Sequence, residues 1–275
     1  RPPSWSVGDL LPRLAVAGYG LVVLVVFVGP VASMLLASVT GPEGLTLANY
    51  RFLVERQATG TEFQVKPLPA IRSSLLLAAV TLAVAVPVGV TVAAVTAWDV
   101  PGRRLVDALS MLPLAVSGIV VGLGLLRGLV FGVELFGTRL RATGIVAVAV
   151  AHVVAAYPFV TRNVAPLFGS LDRSLVEAAR SLGATRGRAL WDVELPLVAA
   201  GVVAGAAFAV AISVGEFDAT VVLAGQSGVY TMPVAVERFI GRRLGAATAM
   251  GCLLLAVTAA SFLVVDRFGG RWGQL

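Results

Sequence analysis

Ionisable side chains are few in this chain, and their spacing does not suit catalysis. Charged residues make up 13% of the 275. His152 is the single histidine and stands midway along an apolar run, where polar groups are costly and often functional. It reads either as a pathway or gating residue or as a structural histidine bonded to a backbone carbonyl. Cys252 is the single cysteine, so no intrachain disulfide can form, and its apolar surroundings suit a small packing residue. One His and one Cys cannot make a metal site. Glu216 and Asp218, in Gly215-Glu-Phe-Asp-Ala-Thr220, end a charge-free run. A charge at the bilayer centre costs about 2.5–3.5 kcal/mol. The pair is therefore expected at the outer boundary or in a water-filled cavity, as gate residues or as helix-end caps. The single lysine, Lys66, has no Gly-x-x-x-x-Gly before it, so no phosphate-cradling loop is present. No Ser/His, His/Glu or paired-carboxylate set recurs in the apolar runs. No catalytic residue, metal or cofactor is expected.

One polar stretch has more structure in its spacing. Asn163–Glu194 interrupts the apolar runs and has helical periodicity. Leu171, Leu175, Ala178, Ala179 and Leu182 form an apolar stripe, and Asp172, Arg173, Glu177 and Arg180 take the other side. Ser174 and Glu177 have capping-box spacing, and Gly183 is placed to end the helix. A second short helix is predicted from Thr185, carrying Leu190, Trp191 and Val193, and Pro196 suits the first turn of the next helix. Alone, this pattern fits an amphipathic helix on a membrane surface. It equally fits a pair of short helices docked in a groove of a soluble partner.

The elements around these residues are membrane spans. The chain is 58% hydrophobic with a mean hydropathy of +0.92, whereas soluble domains carry about 25% charged residues. A bilayer core needs about 20 apolar residues as helix. Runs of that kind cover 14–37, 73–98, 108–126, 142–161, 197–215 and 244–265. They lack period-2 alternation and far exceed strand length, so the predicted fold is all-α with six transmembrane helices in a lipid bilayer. The predicted organisation is an N-terminal segment 1–13, a membrane domain 14–267 with a polar loop 163–195, and a tail 268–275. Residues 219–236 are broken by Gly225-Gln-Ser-Gly228 and Pro233 and are predicted as a short helix, a turn and a second helical piece at the outer surface. Thr40–Arg72 is predicted to wrap the outer face. Basic residues are spread over all loops without a run, which argues against nucleic acid and leaves orientation undecided by charge.

Glu177-Ala-Ala, three residues, Gly183, nine residues, then Val193-x-Leu195-Pro196 resembles the EAA loop of ABC importer permeases, with Val193 where Ile is usual. The resemblance covers about residues 70–265 and implies the type I importer permease fold. It implies that Glu177, Ala178, Ala179, Gly183, Val193, Leu195 and Pro196 form a cytoplasmic coupling loop for a separate ATPase. Glu177 would hold the docking helix, the two alanines would allow close approach, and Gly183 would make the turn. It also implies a second permease domain, fused or as a homodimer, and an extracytoplasmic substrate-binding protein. The start Arg1-Pro-Pro suggests one half of a fused permease, with a truncated or processed single-domain subunit as the alternative. Met111-Leu-Pro-Leu-Ala-Val-Ser-Gly118, Tyr157-Pro-Phe-Val-Thr-Arg162 and Tyr230-Thr-Met-Pro233 are similar to fused thiamine and ferric-iron permeases. There a proline and small residues line the path, which marks Pro113 and Ser117, with His152, Glu216 and Asp218, as pathway candidates. Gly-Glu-Phe occurs in permeases for oxyanions, thiamine and iron. The acidic pair leans toward a cationic cargo, with molybdate- or sulfate-type oxyanions as the alternative and an ion-coupled secondary transporter as a more distant one.

Overall fold

The structure is a computed structural model that describes residues 10–55, 65–98, 101–135 and 138–272. The N-terminal residues 1–9, most of the predicted 1–13 segment, and the last three residues of the predicted tail lie outside the described residues. Helix α1 (Leu10–Ser38) is followed by a small hairpin of β1 (Thr40–Gly41) and β2 (Gly44–Leu45) and by α2 (Ala48–Val54). Helix α3 (Pro67–Ala97) leads to α4 (Arg103–Ala115) and α5 (Gly118–Leu125), which runs on through a π-turn at Leu126–Val130. A second hairpin, β3 (Val133–Leu135) and β4 (Thr138–Leu140), precedes α6 (Gly144–Ser170). Helices α7 (Arg173–Ser181) and α8 (Arg186–Ala189), a π-turn at Leu190–Glu194 and the single turn α9 (Leu195–Leu197) form the polar stretch. Then come α10 (Ala199–Gly215), α11 (Asp218–Ser227), α12 (Met232–Ile240) and α13 (Leu244–Trp272).

Four helices, 12–38 in α1, α3, α6 and 244–263 in α13, are each long and apolar enough to cross a bilayer alone. The remaining spans are bent. The predicted straight helix 108–126 is instead α4 and α5 meeting at 101°. Val116 and Ser117 between them are both extended, with ψ of 135° and 138°. Pro113 removes one hydrogen-bond donor and crowds the preceding turn, and Ser117-Gly118 restarts the helix. The predicted span 197–215 is α10, and the polar helices enter it at 80°. Residues 219–236 form a helix–turn–helix, as predicted, with α11 and α12 bent by 87°. Several boundaries move. Helix α6 continues past Thr161 to Ser170, and α3 begins at Pro67 rather than 73, with proline at its first turn. Helix α1 begins at Leu10 rather than 14, and α13 runs past 265 to Trp272, into the predicted tail.

The core is built from small residues that let helices approach closely. Helices α3, α6 and α10 pack through Ala85, Ala93, Ala94, Ala156, Val160, Val164 and Ala209, all buried. Gly89 and Gly205 both face Val160, where an added Cβ would lie within 3.0 Å of its atoms. A second cluster joins α2, α12 and α13, with Phe52 edge-on to Phe239 at 6.1 Å and Arg243 over the Phe52 ring at 4.0 Å. Helix α1 packs on α13 and exposes Leu14, Tyr19, Leu24 and Phe27. In water such a surface would be untenable; in a bilayer it is a lipid-facing one.

Candidate functional site

Two regions collect the residues singled out by the sequence. The first is the helical loop. Asp172 caps α7, its carboxylate accepting the Ser174 N–H at 2.9 Å. That backbone N–H holds the Asp172 carboxyl below its usual range. The predicted capping box of Ser174 and Glu177 is not formed, because α7 starts one residue after Asp172 and Ser174 already lies within it. At the other end the prediction holds. Gly183 has φ +91°, its N–H donates to Arg180 O, and the Ala184 N–H reaches back to Ala179 O. This is a Schellman end, and a Cβ is unwelcome at its left-handed residue. Thr185 caps α8 by accepting the Arg188 N–H at 3.3 Å.

Pro196 lies in the single turn α9, after the π-turn. Without an N–H it cannot complete the bond to Asp192, and wider π-type bonding before it, Leu195 N–H to Leu190 O, absorbs the misfit. The joint to α10 is not at Pro196 as expected but at Val198, which leaves helical geometry at φ −97°, ψ 8° and is fully buried. Leu171 packs on the α3/α6/α10 core, but the rest of the apolar stripe is not packed on the bundle. Leu175 is 46% exposed, Leu182 91% and Trp191 in the next turn 72%. Val176, Glu177 and Arg180 instead line a pocket of about 310 Å³ against Trp98 and Phe168 at the ends of α3 and α6. Ala178 is exposed, Ala179 and Val193 are half-buried, and Leu195 packs against the α3/α6/α10 core.

The second region is an open cavity of about 410 Å³. Pro113 and Gly118 border it on the α4–α5 bend, Ala151 and Phe159 on α6, and Glu216 and Asp218 at the break between α10 and α11. Ser117 stands between two lining residues, Val116 and Gly118, and is exposed. Gly118 and Gly122 bring α5 onto α11. A Cβ on Gly118 would lie 2.7 Å from the Asp218 Cβ, and one on Gly122 would lie 2.9 Å from the Ala219 Cα. Gly124 and Gly128 follow at similar small-residue spacing but meet nothing within 4 Å.

Glu216 lines the cavity, one of the two settings expected for it, beside His152 of α6. Its side chain is 8% exposed. Oε1 accepts the Ala219 N–H at 2.8 Å and Oε2 the Thr220 N–H at 3.1 Å, and the Thr220 hydroxyl also donates to Oε2. The carboxylate therefore caps α11, whose helix dipole favours negative charge there. His152 is fully buried. Its Nδ1 lies 2.8 Å from Ser213 Oγ, and its Nε2 lies 3.0 Å from Thr220 Oγ1 and 3.6 Å from Glu216 Oε2. Ser213 Oγ donates onward to Thr81 Oγ1 at 3.1 Å. The partners of His152 thus include two side-chain hydroxyls that the sequence reading did not name. Thr81, Ser213 and Thr220 went unnoticed because hydroxyls in apolar helices usually bond within their own turn. Asp218 is exposed beside Glu216. Among the described residues no group of three or more His, Cys, Asp or Glu is arranged to hold a metal.

A bundle of apolar helices, bent at a central cavity and carrying an amphipathic helical loop on one end, defines a polytopic membrane transport protein. Residues 85–274 match the family described as binding-protein-dependent transport system inner membrane component, and the chain belongs to that family of ABC importer permeases. It is 32% identical over 189 residues to the sulfate transport system permease protein CysT of Escherichia coli, covering 65% of this chain and 68% of that protein. It is 35% identical over 210 residues to the molybdenum transport system permease protein ModB of Mycobacterium tuberculosis, covering 72% and 78%. In fold it is similar to a chain of a bacterial alginate ABC transporter solved with a periplasmic protein bound to an alginate pentasaccharide. That match has a TM-score of 0.74 at 17% identity and covers 96% of this chain and 95% of the other. Such permeases are not themselves enzymes, which accords with the missing P-loop.

Proposed function

We propose that this chain conducts a tetrahedral oxyanion of the sulfate or molybdate class, and that residues 163–195 couple it to a cytoplasmic ATPase. The observation that carries the cargo reading is the similarity at 32–35% identity to permeases named for sulfate and molybdenum. The thiamine and ferric-iron reading rested on shorter patterns and on the acidic pair. Glu216 no longer speaks for a cation, because both of its oxygens are committed to α11 and its neighbours. Pro113, Ser117, Glu216 and Asp218 then shape the passage, with His152 supporting Glu216 from behind.

The coupling reading is supported by the two faces of α7. One presents Leu175 and Leu182 unpartnered, an apolar ridge of the size a groove in a soluble subunit could take. The other presents Glu177 toward the bundle. Ala178 and Ala179 keep the helix slim, Gly183 turns it, and Val193, Leu195 and Pro196 tie it to α10. A second permease domain and an extracytoplasmic binding protein complete the assembly in this reading. The cargo test is uptake into sealed proteoliposomes holding the chain, its ATPase and its binding protein. ATP-dependent accumulation of sulfate or molybdate is expected. Accumulation of thiamine or ferric iron, with neither oxyanion taken up or competing, would overturn the assignment.

A further inference from the structure

The loop motif gives neither position 194 nor Trp98 a role. The structure joins them across 96 residues of sequence. Glu194 is 4% exposed, and its Oε2 accepts the Trp98 Nε1–H at 3.3 Å. Trp98 ends α3, where its own N–H still bonds to Ala94 O. The Arg186 guanidinium stacks on the Trp98 ring at 4.1 Å from the centroid. A carboxylate this buried needs its donor, since an unpaired buried charge is strongly disfavoured, and a charge-assisted bond is directional. Arginine over tryptophan adds a cation–π contact from the start of α8. Two residues of the loop, one from each of its last two turns, thus grip the end of α3.

Helix α3 is tied a second time, to α10. Thr81, midway along α3, accepts from Ser213 near the end of α10, and Ser213 lies against His152 beside the cavity. Trp98 and Thr81 are about 25 Å apart along α3, and Val198 and Ser213 about 22 Å along α10, at the usual helical rise. The two helices pack on each other between these ties.

We propose that Trp98 and Glu194 are positioning residues that fasten the helical loop to α3, so that motion of the loop reaches the cavity cluster along α3 as well as along α10. This rests on the coupling role proposed above for the loop. Packed elements transmit such motion only if both ends are biased by it, so the test reads both ends. In a Cys252→Ala background, spin labels at Arg188 on the loop and Thr91 on α3 report their distance in the chain alone, without any ATPase. Glu194→Ala and Trp98→Phe are expected to broaden that distribution, and Glu194→Gln, which keeps an acceptor, to leave it narrow.

In the assembled transporter, Glu194→Ala and Trp98→Phe are expected to retain ATPase binding and hydrolysis while cargo moved per ATP falls at least about fivefold, the low end of typical coupling energies. Glu194→Gln is expected to restore most of it. An unchanged distance distribution in both variants would overturn the fastening. A broadened distribution with wild-type cargo per ATP would overturn the second route. If the wild-type chain engages no ATPase, the coupling role itself fails, and that result is separate because the spin-label measurement does not depend on it. Trp98→Phe guards against a Glu194→Ala variant that fails to insert.

Discussion

Glu216 shows how a residue's partners decide its meaning. A carboxylate at the end of an apolar run suggests a ligand for a cation. Here it accepts two N–H groups and a hydroxyl at the start of α11, with His152 behind it. Glu216→Ala is therefore expected to destabilise the chain by about 1–3 kcal/mol for each buried donor left unpaired. Thermal unfolding in detergent measures it. Asp218→Asn, at the exposed neighbour, is expected to leave stability unchanged and to alter only uptake. Gly122 makes the opposite kind of demand. A Cβ there meets the Ala219 backbone at 2.9 Å, and backbone cannot yield as a side chain does. Gly122→Val is expected to cost about 1–3 kcal/mol by overpacking, with Gly124→Val near neutral in the same assay. Sequence reading placed His152 and Glu216 on one short list of pathway candidates. It could not pair them, because they stand 64 positions apart with four helices, α7 to α10, between them. Glycine spacing alone did not separate Gly118 and Gly122 from Gly124 and Gly128, since which side faces α11 depends on the bend at Val116–Ser117.

At the scale of elements, the coupling proposed for α7 to α10 depends on joints set by local chemistry. Gly183→Pro cannot adopt φ +91° and is expected to abolish coupled uptake while leaving membrane insertion intact. Glu177→Arg, which reverses a charge on the docking helix, is expected to do the same. Co-purification of the ATPase and uptake at equal protein level check both. Asp172→Ala removes the cap of α7 and is expected to weaken ATPase binding several-fold. The cap also has a sign in pH. Its carboxyl lies below the ordinary range in the folded chain, so its contribution is present above the unfolded value of about 3.9 and fades only in more acid solution. Binding measured from pH 8 to pH 5 is expected to show no loss attributable to this cap. The Gly183 end and the Thr185 start were legible in sequence because each is set by its own residue. The true cap, Asp172, and the 101° bend were not. A charge-free apolar run reads the same whether its helix is straight or broken, and the extended pair Val116–Ser117 is held by packing around the cavity.

For the whole molecule, composition and run length were enough to predict an all-α bundle in a bilayer. The solvent-incompatible surface of α1 and the bent pairs fit that reading. The cargo was not legible. Patterns around Pro113, Tyr157 and Tyr230 pointed to thiamine and iron, whereas relatives matched over most of the chain carry sulfate and molybdenum in their names. Short apolar patterns report helix packing, which permeases for different cargoes share. The purified chain, free of partners, is expected neither to bind nor to hydrolyse ATP, since its one lysine has no phosphate loop.

The central claim is that the 163–195 loop meets an ATPase on the inner side of the membrane. A cysteine at Leu182, the most exposed apolar residue of the docking ridge at 91%, tests it in a Cys252→Ala background. A thiol-reactive crosslinker applied to inside-out vesicles containing the ATPase should join the two subunits. The same cysteine should resist a membrane-impermeant label applied to right-side-out vesicles. Labelling from the outer side, with no crosslinked product in inside-out vesicles, would contradict the account.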